Sequence, residues 1–224
     1  MNEDALVRAL VSDLKPYKPW PRVGLAGLLM AASVAIYAAL ALALSEVRAD
    51  WPSMLRNPWD VGELVLMALL MLLACRATLL RASPDGYQLK GYYRWPRYVA
   101  VLLLGVVIVR ALCFHQAFEP PSEVMDCLGE LLLLGLIPMG IGFGWMRKRI
   151  VLEGQRFAEL LTWSGFSIAV FVLKCSCDIK ALSHMLLAHF LPVAVAVWAG
   201  WKFGRRWFLF ATSNRFRSDF ELNG

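Results

Sequence analysis

The residues of this 224-residue chain best suited to chemistry are five cysteines, Cys75, Cys113, Cys127, Cys175 and Cys177, and three histidines, His115, His184 and His189. Thiolate and imidazole are the ligands that zinc, copper(I) and cadmium prefer. The same thiols can form disulfides in an oxidising compartment. No finger or CxxC spacing is present, and the CxC of Cys175 and Cys177 would be a strained pair. His184 and His189 stand at i and i+5, which is poor spacing for a shared face of an α-helix.

What positions these groups is read from hydropathy. The chain is 59% hydrophobic, above the share of a soluble domain, and its apolar residues come in runs long enough to cross a bilayer. Six runs are expected to be transmembrane helices: Val23–Leu44, Val61–Leu80, Tyr98–Cys113, Cys127–Met146, Phe157–Leu173 and Ala181–Phe203. The first exceeds the apolar region of a signal peptide and reads as a retained span. Glu63 and Arg110 lie near span ends, where such side chains can reach the headgroups.

Lysine and arginine set the orientation. Eighteen of them fall on one side: before the first span, in or bordering the second-to-third and fourth-to-fifth connections, and at or after the end of the sixth span. Of these, Arg76 and Lys202 lie inside span ends. Only Arg48, Arg56, Arg110, Lys174 and Lys180 fall on the opposite side. The positive-inside rule puts the eighteen, and both termini, in the cytoplasm. This distribution accounts for the net charge of +6 without invoking nucleic acid. The expected fold class is an all-α polytopic membrane protein with six transmembrane helices, N-in and C-in. Residues 1–21 form a cytoplasmic amphipathic segment, 22–207 the membrane domain and 208–224 a cytoplasmic tail.

In this topology every cysteine except Cys75, and all three histidines, gather at the outer face. Three readings are open: a metal- or oxidant-sensing site, a structural disulfide such as Cys113 to Cys127, and ordinary packing of small thiols. Candidate sensing residues are Cys113, Cys127, Cys175, Cys177, His184 and His189. Arg110 is expected to pair with Asp126 or Glu130. Gly129, Gly135, Gly140, Gly142 and Gly144 are expected to allow close helix contacts. Leu6, Leu10 and Leu14 lie on one face of the N-terminal segment, which is offered either to the membrane surface or to a cytoplasmic partner.

The stretch Cys175–Pro192, CSCDIKALSHMLLAHFLP, resembles the signature of the NrsF-type anti-sigma factors, six-span inner-membrane proteins of proteobacteria. That signature has a Cys, a His seven residues on, a second His five further and a Pro three after that. Here these are Cys177, His184, His189 and Pro192. Cys127 opening the fourth span, Pro138 midway and Arg147-Lys148-Arg149 at its end match a second family feature. The opening ALVRALVSDLKP also resembles the family's short amphipathic helix. Asp178 departs from the proline that commonly follows the loop cysteine, and Cys175 adds a thiol.

The resemblance implies a regulator that holds an extracytoplasmic-function sigma factor at the membrane and releases it on a metal or oxidative signal. The family's two sensing cysteines map onto Cys127 and Cys177. With His184 these form the expected metal set, for zinc or another soft metal ion. The N-terminal leucines are the expected sigma-factor contact, to which the loop Ser83–Pro96 adds. No enzymatic activity is expected. The rival readings are a small metal transporter and a membrane thiol oxidoreductase. The crowding of polar residues at the two faces counts against transport, and the missing CxxC counts against redox catalysis.

Overall fold

The computed structural model describes residues 23–45, 48–82, 91–114, 124–146, 153–179, 181–204 and 206. Leu6, Leu10, Leu14, His115, Arg147, Lys148, Arg149 and the C-terminal tail lie outside the described residues. Six helices are long and apolar enough to span a membrane. We number the helices α1 Val23–Leu44, α2 Trp51–Met54, α3 Pro58–Ala82, α4 Trp95–Cys113, α5 Val124–Met146, α6 Gly154–Ser176 and α7 Leu182–Gly204. All but the one-turn α2 are spans. No strand occurs among the described residues. In hydrocarbon a helix satisfies its own backbone groups, so runs of this length have no competing local structure.

The spans start or end up to six residues from the sequence expectation. The clearest case is the third, where a 3₁₀ turn, Tyr92–Arg94, leads into α4. Pro58 and Pro96 stand in first helical turns, where a missing N–H costs nothing. Pro138 is different, lying inside α5 and leaving the Leu134 carbonyl without its i+4 donor. The Tyr37 hydroxyl of α1 donates to that carbonyl at 2.9 Å. The repair ties the peripheral α1 to α5.

The least apolar span, α6, is the most buried: 89% of its spanning window, against 11% for α5 and 17% for α1. A polar side chain facing lipid finds no partner, so the helix that carries most of them goes to the centre. Thr162, Ser164 and Ser167 are buried and donate to the Ala158, Leu161 and Ser164 carbonyls of their own helix. α6 packs between α3 and α5, with α4 beyond α3.

Glycine sets the closest approaches. A Cβ on Gly165 would lie 2.7 Å from the Gly135 carbonyl oxygen, and one on Gly135 would lie 2.8 Å from Phe166. Gly142 meets Leu161, while Gly200 and Gly204 of α7 meet Thr162 and Ala158. Gly129, Gly140 and Gly144, expected at contacts, face open space instead, because only one side of α5 turns toward α6.

Candidate functional site

The connections bring two sets of helix ends together. At one end lie the starts of α3, α5 and α7 and the ends of α4 and α6. There Cys127 sits in the first turn of α5, and Cys177 immediately follows α6. His184 lies in the first turn of α7, and His189 follows within the π-helical stretch Met185–Phe190.

These four residues form one cluster. The Cys127 thiol donates to Cys177 Sγ at 3.7 Å. Cys177 Sγ lies 3.5 Å from His184 Nε2, which is 3.4 Å from His189 Nε2. None of the remaining separations among the four ligand atoms exceeds 4.8 Å. Both histidines are buried and both thiols half-buried.

The π-helical stretch corrects the expectation for the histidine pair. In an α-helix residues i and i+5 are about 140° apart around the axis. In a π-helix the hydrogen bond runs i to i+5, which stacks the two positions. The imidazole ring centroids are accordingly 5.3 Å apart. The same stretch of α7 packs against α5, bringing the histidines to Cys127.

The other predicted residues are elsewhere. Cys175 is buried in the last turn of α6, and Cys113 is exposed at the end of α4; neither belongs to the cluster. All five cysteines are free thiols, and Cys127 meets Cys177 rather than the expected alternative, Cys113. Of the two neighbouring loop thiols, the cluster takes Cys177.

A bound metal is tested by geometry. With metal–sulfur bonds of about 2.3 Å and metal–nitrogen bonds of about 2.05 Å, a tetrahedron has S–S, S–N and N–N edges of about 3.8, 3.5 and 3.3 Å. The Cys127–Cys177, Cys177–His184 and His184–His189 contacts, 3.7, 3.5 and 3.4 Å, match these edges. The longest separations would have to contract by about 1 Å from 4.8 Å. Two sulfurs and two imidazole nitrogens suit zinc or a softer ion. The Cys177 thiol is pulled far below its ordinary value, first by the hydrogen bond from Cys127 and then by His189 and the Ile179 backbone N–H, with burial opposing. That favours the thiolate, the form that binds metal.

Next to the cluster is a buried ionic group that the sequence reading did not find. Arg110 Nη1 donates to Asp60 at 2.7 Å and to Glu63 at 2.9 Å. Lys174 Nζ lies 3.1 Å from Asp60 and also pairs with Glu63. None of the four is more than 7% exposed. This overturns both the expected pairing of Arg110 with Asp126 or Glu130 and the reach of Glu63 and Arg110 to the headgroups. Charges at adjoining helix ends neutralise one another inside the bundle at lower cost than separately in lipid. The visible signal was Asp60 and Glu63, two acids one turn apart at the start of an apolar run.

Arg48 lines the gap between the two groups. Its guanidinium pairs with Asp50, and its Nη1 donates to the Cys177 carbonyl at 3.0 Å. A cavity of about 20 Å³ lies between Arg48, Glu63, Arg110, Lys174, Cys177 and His189. That is room for about one water.

No curated protein and no solved structure matches the chain. Residues 10–210 match a family described as NrsF, negative regulator of sigma F. That match covers the described membrane helices and both halves of the Cys/His cluster, and the chain therefore belongs to the NrsF family.

Proposed function

We propose that this protein is an anti-sigma factor of the bacterial inner membrane, with both termini in the cytoplasm. It holds an extracytoplasmic-function sigma factor away from RNA polymerase and releases it when a metal ion or oxidant reaches the periplasmic Cys/His cluster. It is a regulatory binding protein rather than an enzyme. The family supports the sigma-factor part of this reading. The sensing part rests on one observation: four donors, Cys127, Cys177, His184 and His189, converge where α5, α6 and α7 meet.

In this reading the metal set is Cys127, Cys177 and His184, completed by His189. A soft ion draws the starts of α5 and α7 onto the end of α6. Oxidation would instead join Cys127 to Cys177, releasing two protons and two electrons to the oxidant. Either event biases how α6 packs, and a ligand shifts such a balance by its differential affinity for the two packings. The N-terminal segment with Leu6, Leu10 and Leu14 contributes to holding the sigma factor.

The test is a pull-down of membrane-extracted full-length protein beside a version lacking residues 1–16, with and without added zinc or cadmium. The expected result is a sigma factor, identified by mass spectrometry, retained by the full-length protein and released by metal. Release should be absent in Cys127→Ser and Cys177→Ser. Retention of no sigma factor would remove the reading; metal-insensitive retention would remove the sensor.

A further inference from the structure

The end of the bundle opposite the Cys/His cluster carries a group of different character. The Tyr93 ring is approached by three guanidinium groups, Arg81 at 5.0 Å, Arg156 at 5.5 Å and Arg94 at 5.6 Å from its centroid. Arg76 lies 4.8 Å over the neighbouring Tyr92 ring. These arginines come from the end of α3, the turn before α4 and the start of α6. Arg81 pairs with Glu153, and Glu159 takes both Arg97 and Arg156. Among the described residues of this cluster, five arginines thus face two glutamates. Arg76 and Arg94 are exposed and have no ion-pair partner among the described carboxylates.

We propose that this arginine–tyrosine cluster is a docking surface for an acidic segment of the sigma factor. The proposal rests on the anti-sigma reading and locates a contact for it within the helical bundle, beyond the N-terminal segment.

Three observations select an acidic protein segment over other polyanions. Nucleic acid would stack its bases on exposed aromatic faces, and arginines already crowd the Tyr93 ring. Lipid headgroups lie at the level of the aromatic belt, here the exposed Trp95 and Tyr98, in edge-to-face contact 6.2 Å apart. Tyr92, Tyr93 and Arg94 form the terminal turn of that span, ahead of Trp95 and Tyr98, and Arg94 is exposed there. Finally, the arginines converge from three chain segments onto one tyrosine, which makes a compact positive surface instead of a ring of separate lipid anchors. Such a surface steers a partner of opposite charge and fixes its register.

The position also connects binding to sensing. Arg156 and Glu159 lie near the start of α6, Lys174 is in its last turn and Cys177 follows it. The helix is about 34 Å long at 1.5 Å per residue. A change of packing at the Cys/His cluster therefore reaches the docking surface through one continuous, buried helix.

The experiment uses the full-length protein in nanodiscs of zwitterionic lipid. Its probe is the purified sigma factor identified in the wild-type pull-down. The variants are Arg76→Glu/Arg94→Glu and Arg76→Lys/Arg94→Lys, chosen because neither arginine makes a described ion pair. The expected result is affinity at least about tenfold weaker for the double glutamate variant, with the double lysine variant close to wild type. Wild-type affinity should fall steeply between about 50 and 300 mM salt. Zinc binding at the cysteine end should be the same in all three proteins, showing that the fold is intact. Undiminished sigma-factor binding by the double glutamate variant overturns the proposal. So does a defect confined to binding of vesicles containing phosphatidylglycerol, which would make the arginines a lipid anchor. A wild-type protein that retains no sigma factor overturns the anti-sigma reading itself, a result distinct from either.

Discussion

The two ends of the bundle handle charge in opposite ways. At the cysteine-bearing end, Asp60, Glu63, Arg110 and Lys174 are buried and balance two against two. In the cluster at the other end, five arginines face two glutamates among the described residues, and Arg76 and Arg94 are exposed. The difference follows from solvent. A charge in the bundle interior must be matched by protein, because the desolvation penalty is several kcal/mol per ion. An exposed charge keeps its access to water, so a surplus can persist for a partner. The balanced end is built to hold helices in place, and the surplus end to meet another molecule.

The largest effect should come from breaking the balance. Lys174→Ala leaves Asp60 and Glu63 sharing Arg110, and the cost should be about 3–5 kcal/mol. Thermal unfolding in detergent should show a large loss of stability, or the protein should fail to accumulate in the membrane. Arg94→Ala should leave the same melting curve unchanged. Equal losses would erase the contrast between the ends.

A smaller effect sharpens the assignment of the cysteine end. His189→Ala should weaken zinc binding by about a hundredfold, since it removes one of four ligands from a closed site. Cys175→Ser should leave it alone. Titration against a competing chelator reads both, and a larger loss from Cys175→Ser would move the site.

The remaining tests concern the scaffold common to both ends. Gly165→Ala forces α5 away from α6 and should cost about 1–3 kcal/mol. Gly140→Ala, whose Cβ meets nothing within 4 Å, should cost far less. Tyr37→Phe removes the donor to the Leu134 carbonyl and should cost about 1 kcal/mol. Denaturant midpoints for the three variants give the order.

Much of the fold was legible because a transmembrane helix is a local property. Val23–Leu44 was read to the residue, and the other spans shifted only at their ends, where proline and polar residues extend the helix past its apolar run. The common sidedness of Cys127, Cys177, His184 and His189 followed from counting spans. Their contact did not. Two cysteines and two histidines in one membrane face could lie far apart, and an α-helical register argued against the histidine pair. The ionic group was missed for a related reason. Arg110 was paired with carboxylates on the next helix in the chain, whereas its partners lie on α3, the preceding span.

The sequence by itself determined the six helices, the end at which each polar residue lies, and the family. Hydropathy over about twenty residues decides the first, alternation of spans the second, and motif spacing the third. Tertiary structure decided which helix is central, which charges pair and which thiol joins the cluster. Those choices depend on helix rotation and on approach through Gly135 and Gly165, to which hydropathy is blind. The π-helical stretch of α7 shows the division most clearly. The sequence supplies His184 and His189 five residues apart, and only the winding adopted in the packed bundle brings their nitrogens within 3.4 Å.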